Sequence, residues 1–393
     1  MTFGVRLSTQ RAAPSIAWYS ILVPQDMLFE LPNSAMEFPT SMRWACENFV
    51  SAFRSIVLIL FLISSQNCVF HPIFDFFQDD SNQEQSNQLA LALLAAGVSG
   101  LDCSDDGVDW TGRNAAEAGQ WSSVTYGNGL YVAVADGSNR VMKSADGINW
   151  TANSAPEANS WSSVAYGNGV FVAIAQSGAN RVMTSTDGAN WTARSASEAN
   201  QWRSVTYGNG LFVAVAADGT NQVMTSPDGI SWTPRTAAEA NQWFSVTNGN
   251  GLFVAVSAAG TNRVMTSPDG INWTPRSAAA ANQWLSVTYG NGLFVATSLD
   301  GANRLMTSPD GITWTIRSIP EVNVWFGLTF GDGLFVATSA DGTNRVMTSP
   351  DGINWTSRSA PEANVWISVT YGNGLFVAVS TSGGTQVMTS ACD

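Results

Sequence analysis

The sequence predicts an all-β protein, a seven-bladed β-propeller of four-stranded antiparallel blades. Three observations carry this. Trp121, Trp161, Trp202, Trp243, Trp284, Trp325 and Trp366 are spaced 40 residues at the first step and 41 at the other five. A second set, Trp110, Trp150, Trp191, Trp232, Trp273, Trp314 and Trp355, keeps step with the first. Each unit between them holds four strand-like runs parted by turn residues. Self-similarity near this period marks a repeat architecture.

Residues 202–242 serve as the unit. Strand-like runs cover Ser204–Tyr207, Leu211–Ala216, Gln222–Ser226 and Ser231–Arg235, each rich in β-branched and aromatic residues. The first connection, Gly208-Asn209-Gly210, is the Asn-Gly signal of a tight hairpin, in which both central residues take positive φ. The second is Asp218-Gly219-Thr220-Asn221. The third is Pro227-Asp228-Gly229, a turn by proline's fixed φ, the Asp side-chain bond and the Gly. The fourth, Thr236–Gln242, leads to the next repeat. Leu211–Ala216 is apolar at both parities, so that strand is expected to be covered on both faces. Four-stranded sheets covered on both faces and repeated seven times fit blades packed around a ring.

The chain ends on a third strand, Val387–Ser390, and the repeat region opens on a fourth, Asp106–Thr111. The N-terminal strand is therefore expected to complete the last blade and remove an open sheet edge. Cys103 and Cys392 flank this seam, and a disulfide between them is expected; closing so long a loop contributes about 3–5 kcal/mol and implies an oxidising compartment.

Residues 1–75 form a leader outside the repeat, 76–100 a polar linker and short helix, and 101–393 the propeller. The apolar run 56–63 follows Arg43 and Arg54. It is too short to span a bilayer easily, which takes about 20 residues, and suits an export signal or an anchor. A secreted or cell-surface location is expected.

Net charge is −13, of which −9 lies in 101–393, and Lys143 is the single lysine. An acidic chain without a basic run argues against nucleic acid and anionic membrane surfaces; membrane contact is expected only through the N-terminal segment. The single histidine is His71, so the repeats can supply neither a zinc site nor a Ser-His-Asp triad. No cofactor or metal is expected.

The pattern Ser-x-Asp-Gly-x-x-Trp recurs as Ser144/Asp146/Trp150, Ser185/Asp187/Trp191, Ser226/Asp228/Trp232, Ser267/Asp269/Trp273, Ser308/Asp310/Trp314 and Ser349/Asp351/Trp355, with Ser104/Asp106/Trp110 at the start. It resembles the Asp-box of sialidase-like propellers, one residue shorter between Asp and Trp. The resemblance implies a structural turn in which Ser and Asp bond amides and Trp packs inward. Sialidase chemistry does not carry over. It needs a single arginine cluster, a Tyr–Glu pair and an acid Asp, whereas Arg140, Arg181, Arg263, Arg304 and Arg345 are repeat positions.

Turns one and three should share one face of the ring, turn two and the inter-blade loop the other. The latter face gathers Glu157, Glu198, Glu239 and Glu362 with Asn159, Asn200, Asn241, Asn282, Asn323 and Asn364, each set ending on Trp161, Trp202, Trp243, Trp284, Trp325 or Trp366. Carboxylate, amide and indole fit a repeated carbohydrate site gaining by avidity; the favoured reading is a loop cap of Asn and Glu over an inter-blade packing tryptophan. The function expected is a non-catalytic, extracytoplasmic binding or surface-interaction module for a glycan or protein ligand, with a multivalent lectin as the alternative.

Overall fold

The structure, a computed structural model, describes residues 109–137 and 140–391. Seven four-stranded antiparallel sheets follow one another along the chain, making a seven-bladed β-propeller. The leader, the run 56–63, the linker 76–100, Cys103 and Cys392 all lie outside the described residues. In the third blade the strands are Trp202–Gly208, Leu211–Ala216, Val223–Ser226 and Thr233–Arg235. The first strand is longer than its sequence pattern indicates, because a bulge lets pairing resume on its far side. The fourth is shorter. The Asp228 carboxylate accepts from the amides of Ile230 and Ser231, at 2.8 and 3.0 Å, and holds them in the turn.

The first strands of neighbouring blades run beside one another all the way round, the last beside the first. They surround the axis, and the fourth strands form the rim. At the Asn-Gly hairpins Asn209 has φ 51° and Gly210 φ 77°, the left-handed values those residues tolerate. The seam closes as expected: Thr111–Arg113 pairs with Val387–Ala391 as the outer strand of the last blade.

The core lies between blades. Val172, Ile174 and Val182 of one blade pack with Trp202, Val205, Phe212, Ala214 and Met224 of the next. The same cluster forms across the seam, where Trp121 and Tyr131 meet Val377, Val379 and Val387. All seven tryptophans of the first set are fully buried; replacing one with alanine costs about 3–5 kcal/mol.

Candidate functional site

The third turns are held by their own side chains. Ser144 Oγ accepts from the Gly147 amide at 2.8 Å, Asp146 Oδ1 from Ile148 and Asn149 at 2.9 and 2.8 Å, and the Trp150 indole N–H donates to the Gly147 carbonyl. Bonds of this kind tie Ser185, Asp187 and Trp191, Ser226, Asp228 and Trp232, and Ser267, Asp269 and Trp273. They recur through Asp310 and Trp314 and through Ser349, Asp351 and Trp355. The amide three residues on holds Asp146, Asp187 and Asp269 well below the ordinary carboxylate range. Burial pulls Asp351 upward, but the bonds to its turn outweigh it. These carboxylates are ionised acceptors, far from the raised pKa a general acid needs.

On the opposite face the structure speaks against the carbohydrate alternative. Trp161, Trp202, Trp243, Trp284, Trp325 and Trp366 show none of their surface to solvent, so no ring face is open to stack on a sugar. Each indole N–H donates to a backbone carbonyl four residues upstream, as Trp202 does to Glu198 at 3.0 Å. Asn159, Asn200, Asn241, Asn282, Asn323 and Asn364 are buried too. Each side-chain amide reaches the carbonyl 21 residues on, as Asn241 reaches Asn262 at 2.6 Å. Glu198 accepts the side chain of Asn221 at 2.5 Å, its amide at 3.2 Å and the Asn200 side chain at 3.3 Å. Glu157 and Glu239 do the same. Glu362 takes the Thr385 amide and the Asn364 side chain. The partner side chains, Asn180, Asn221, Asn262 and Thr385 in turn, lower these glutamates below the ordinary range. The set is a clamp fastening the second turn to the inter-blade loop, with its polar atoms used internally.

The arginines do not converge either. Arg181 Nη1 donates to the carbonyls of Ala199 and Asn200 in the next inter-blade loop at 2.6 and 2.7 Å. Arg263 and Arg345 make the equivalent tie, and Gln222 and Gln386 make it with one amide.

One variable position of the repeat faces the axis. Every first strand carries a bulge at the residue after its buried tryptophan. Around the ring that residue is Ser122, Ser162, Arg203, Phe244, Leu285, Phe326 and Ile367. A bulge frees one residue from the ladder and re-aims its side chain. All seven line one axial cavity of about 370 Å³ at the end of the second turns. A second variable position supplies Asp136, Gln176 and Thr381 to the same lining, where the other blades carry Ala217, Ala258, Leu299 and Ala340. Those seven are structurally equivalent, since each amide donates to the carbonyl preceding its blade's tryptophan. The mouth is therefore two-sided. Blades four to seven offer Phe244, Leu285, Phe326 and Ile367; blades seven, one, two and three offer Thr381, Asp136, Gln176 and Arg203. Below the mouth serines join several neighbouring blades: Ser163 Oγ accepts from the Val205 amide at 3.2 Å, and Ser368 Oγ accepts from the Val124 amide across the seam at 3.1 Å, while Gly327 takes the serine's place in the sixth blade.

Arg203 is half-buried with its guanidinium 4.8 Å from the centre of the Phe244 ring. Its Nε is buried without a hydrogen-bond partner among the described residues. Burial lowers its pKa, while Asp218 and Asp136 act in the opposite direction. Sequence reasoning missed this mouth. The readable signal was one varying column beside an invariant tryptophan.

Residues 194–326, roughly a third of the chain, match the family described as the DUF6242 beta propeller domain. No curated protein sequence matches the chain. Among solved structures, virginiamycin B lyase from Staphylococcus aureus is 12% identical, with a TM-score of 0.64, over 72% of this chain and 99% of its own. YCF48 from Cyanidioschyzon merolae is 14% identical, with a TM-score of 0.55, over 72% and 98%. A structure of YCF48 bound to D1 peptide is 13% identical, with a TM-score of 0.57, over 76% and 99%. At these identities the likeness is one of fold.

Proposed function

We propose that the chain is a non-catalytic binding module, a propeller of the Asp-box type working outside the cytoplasm, that takes a segment of a partner protein in its axial mouth. The observation carrying this reading is the bulge position: seven side chains that range from serine to arginine and phenylalanine face one cavity there. A rigid ring with a concave, mixed apolar and polar centre is the usual form of a ligand site. One fold neighbour, YCF48, has a structure bound to D1 peptide.

Catalysis finds less support. A virginiamycin B lyase with a histidine-to-alanine change is catalytically inactive, and the single histidine here, His71, lies outside the repeats. The turn and loop carboxylates are committed to structural bonds. A lectin site in the loops would have to use the buried clamp. The run 56–63 behind basic residues supports the extracytoplasmic placement.

The test exploits the repeat. Serine already occupies the bulge in blades one and two, so Arg203→Ser, Phe244→Ser, Leu285→Ser, Phe326→Ser and Ile367→Ser together should leave the fold intact. Native and five-serine chains are applied to a peptide array and a glycan array, with circular dichroism as the control on folding. Peptide binding lost in the five-serine chain is the expected result. Peptide binding unchanged by it, or saturation at several sugars per chain, sinks the proposal.

A further inference from the structure

We infer that the segment seated in the mouth carries an acidic side chain next to bulky apolar ones, the carboxylate meeting Arg203 and the apolar groups meeting the arc from Phe244 to Ile367. This rests on the axial mouth being the binding site and adds the chemistry of its occupant. Among the described residues, Arg203 is the one cation lining the cavity. Its face is covered by Phe244, its Nη2 donates to Gln201 Oε1 at 3.4 Å, and its Nε is buried without an acceptor among the described residues, so a ligand meets the guanidinium through its Nη groups. A guanidinium this poorly supplied with acceptors favours a ligand that brings one, and a planar cation lining a cavity is matched by a carboxylate. The protein's net charge of −13 repels acidic molecules in general, so an acidic segment would be selected by this one local contact.

Four consecutive blades supply the apolar arc. Two of its members are phenylalanines, but Leu285 and Ile367 have no flat face to offer a sugar ring. The hydroxyls of Ser122 and Ser162 are already spent on backbone carbonyls, Ser122 on Trp161 at 2.6 Å and Ser162 on Trp202 at 2.7 Å. Few groups are left for a ligand rich in hydroxyls, whereas a peptide brings apolar side chains and a small number of polar atoms. Asp136, two blades from Arg203, faces the same cavity and suits a backbone N–H or a hydroxyl of the segment rather than a second carboxylate.

The experiment measures fluorescence anisotropy of three labelled heptapeptide pools against the full chain. The first pool has Asp or Glu followed by two residues drawn from Leu, Ile and Phe. The second has Lys in place of the acid, and the third keeps the acid but replaces the apolar pair with Ser and Thr. Binding of the first pool above both others is expected. Arg203→Ser should weaken it about tenfold to a hundredfold, the range of a charged hydrogen bond, and abolish the preference for the first pool over the second. Phe244→Ser with Phe326→Ser should abolish the preference over the third. If a pool binds and the five-serine chain loses it, but Arg203→Ser changes nothing or the lysine pool binds equally, the acidic chemistry is wrong while the mouth remains the site. Binding that survives in the five-serine chain overturns the site itself, and no binding of any pool to the native chain overturns both.

Discussion

At the residue scale, the carboxylates of the turns and clamps are held below their ordinary values, 3.8 for Asp and 4.5 for Glu, by the amides they accept. The unfolded chain therefore takes up protons at a pH where the folded chain does not. The stability these groups contribute is fully present above the ordinary range and is lost as pH falls toward their depressed folded values. The melting temperature should be nearly flat from about pH 8 to about pH 5.5 and fall steeply below about pH 4.5. A flat profile down to about pH 3 would refute the role given to these bonds. Glycine offers a second residue-scale contrast. Gly251 and Gly260 have φ 76° and 99°, so alanine at either is strained by about 1–2 kcal/mol. At Gly251 a Cβ meets nothing within 4 Å, but at Gly260 it would lie 1.8 Å from Asn241 Oδ1. Gly260→Ala must also displace the clamp, adding about 1–3 kcal/mol for its lost bond. A larger drop in melting temperature than for Gly251→Ala is expected, and equal drops would show that the clamp contributes little.

At the element scale, one blade departs from the packing of the other six. Tyr207 stacks against Phe212 with ring centres 4.7 Å apart and sits over Gly167 of the preceding blade, where a Cβ would come within 2.1 Å of its ring. Tyr or Phe fills this place in six first strands, and Asn248 fills it in the fourth. The Asn248 amide nitrogen is buried with no partner among the described residues. Asn248→Tyr should therefore stabilise the protein, by about 1–2 kcal/mol from apolar burial and relief of the unpaired donor. Thermal unfolding checks this, and a lower melting temperature would indicate that Asn248 is held for another purpose.

At the scale of the whole molecule, the ring has one joint that the chain does not cover continuously. The outer strand Thr111–Arg113 is borrowed from the start of the propeller, Arg113 donates to Thr389 Oγ1 at 3.1 Å, and the Trp110 and Phe376 ring centres stand 6.5 Å apart. A chain shortened to begin at residue 116 would leave Val387–Ala391 as a bare edge in the last blade, which invites pairing with another copy. It should melt lower and elute as oligomers in gel filtration, while one beginning at residue 106 stays monodisperse. Identical behaviour of the two would mean that the joint is not needed for closure.

Sequence alone determined the blade number, the strand-and-turn order and the borrowed outer strand. These follow from local patterns: a two-face apolar run such as Leu211–Ala216, an Asn-Gly pair demanding positive φ, an Asp able to bond the amides just ahead of it. Each is decided within a few residues and repeated seven times, so chance matches cancel. The faces on which the turns emerge were legible for the same reason. What the Trp161, Asn159 and Glu157 sets do was decided by tertiary structure alone. Indole, amide and carboxylate suit a sugar as well as the favoured loop cap on paper, and burial between blades settles which partners they meet. The mouth was illegible for a different reason. Ser122, Ser162, Arg203 and Phe244 lie 40 or 41 residues apart and read as scatter beside an invariant tryptophan. Only the closing of the ring brings those bulged residues around one axis, where their differences add up to a single asymmetric surface.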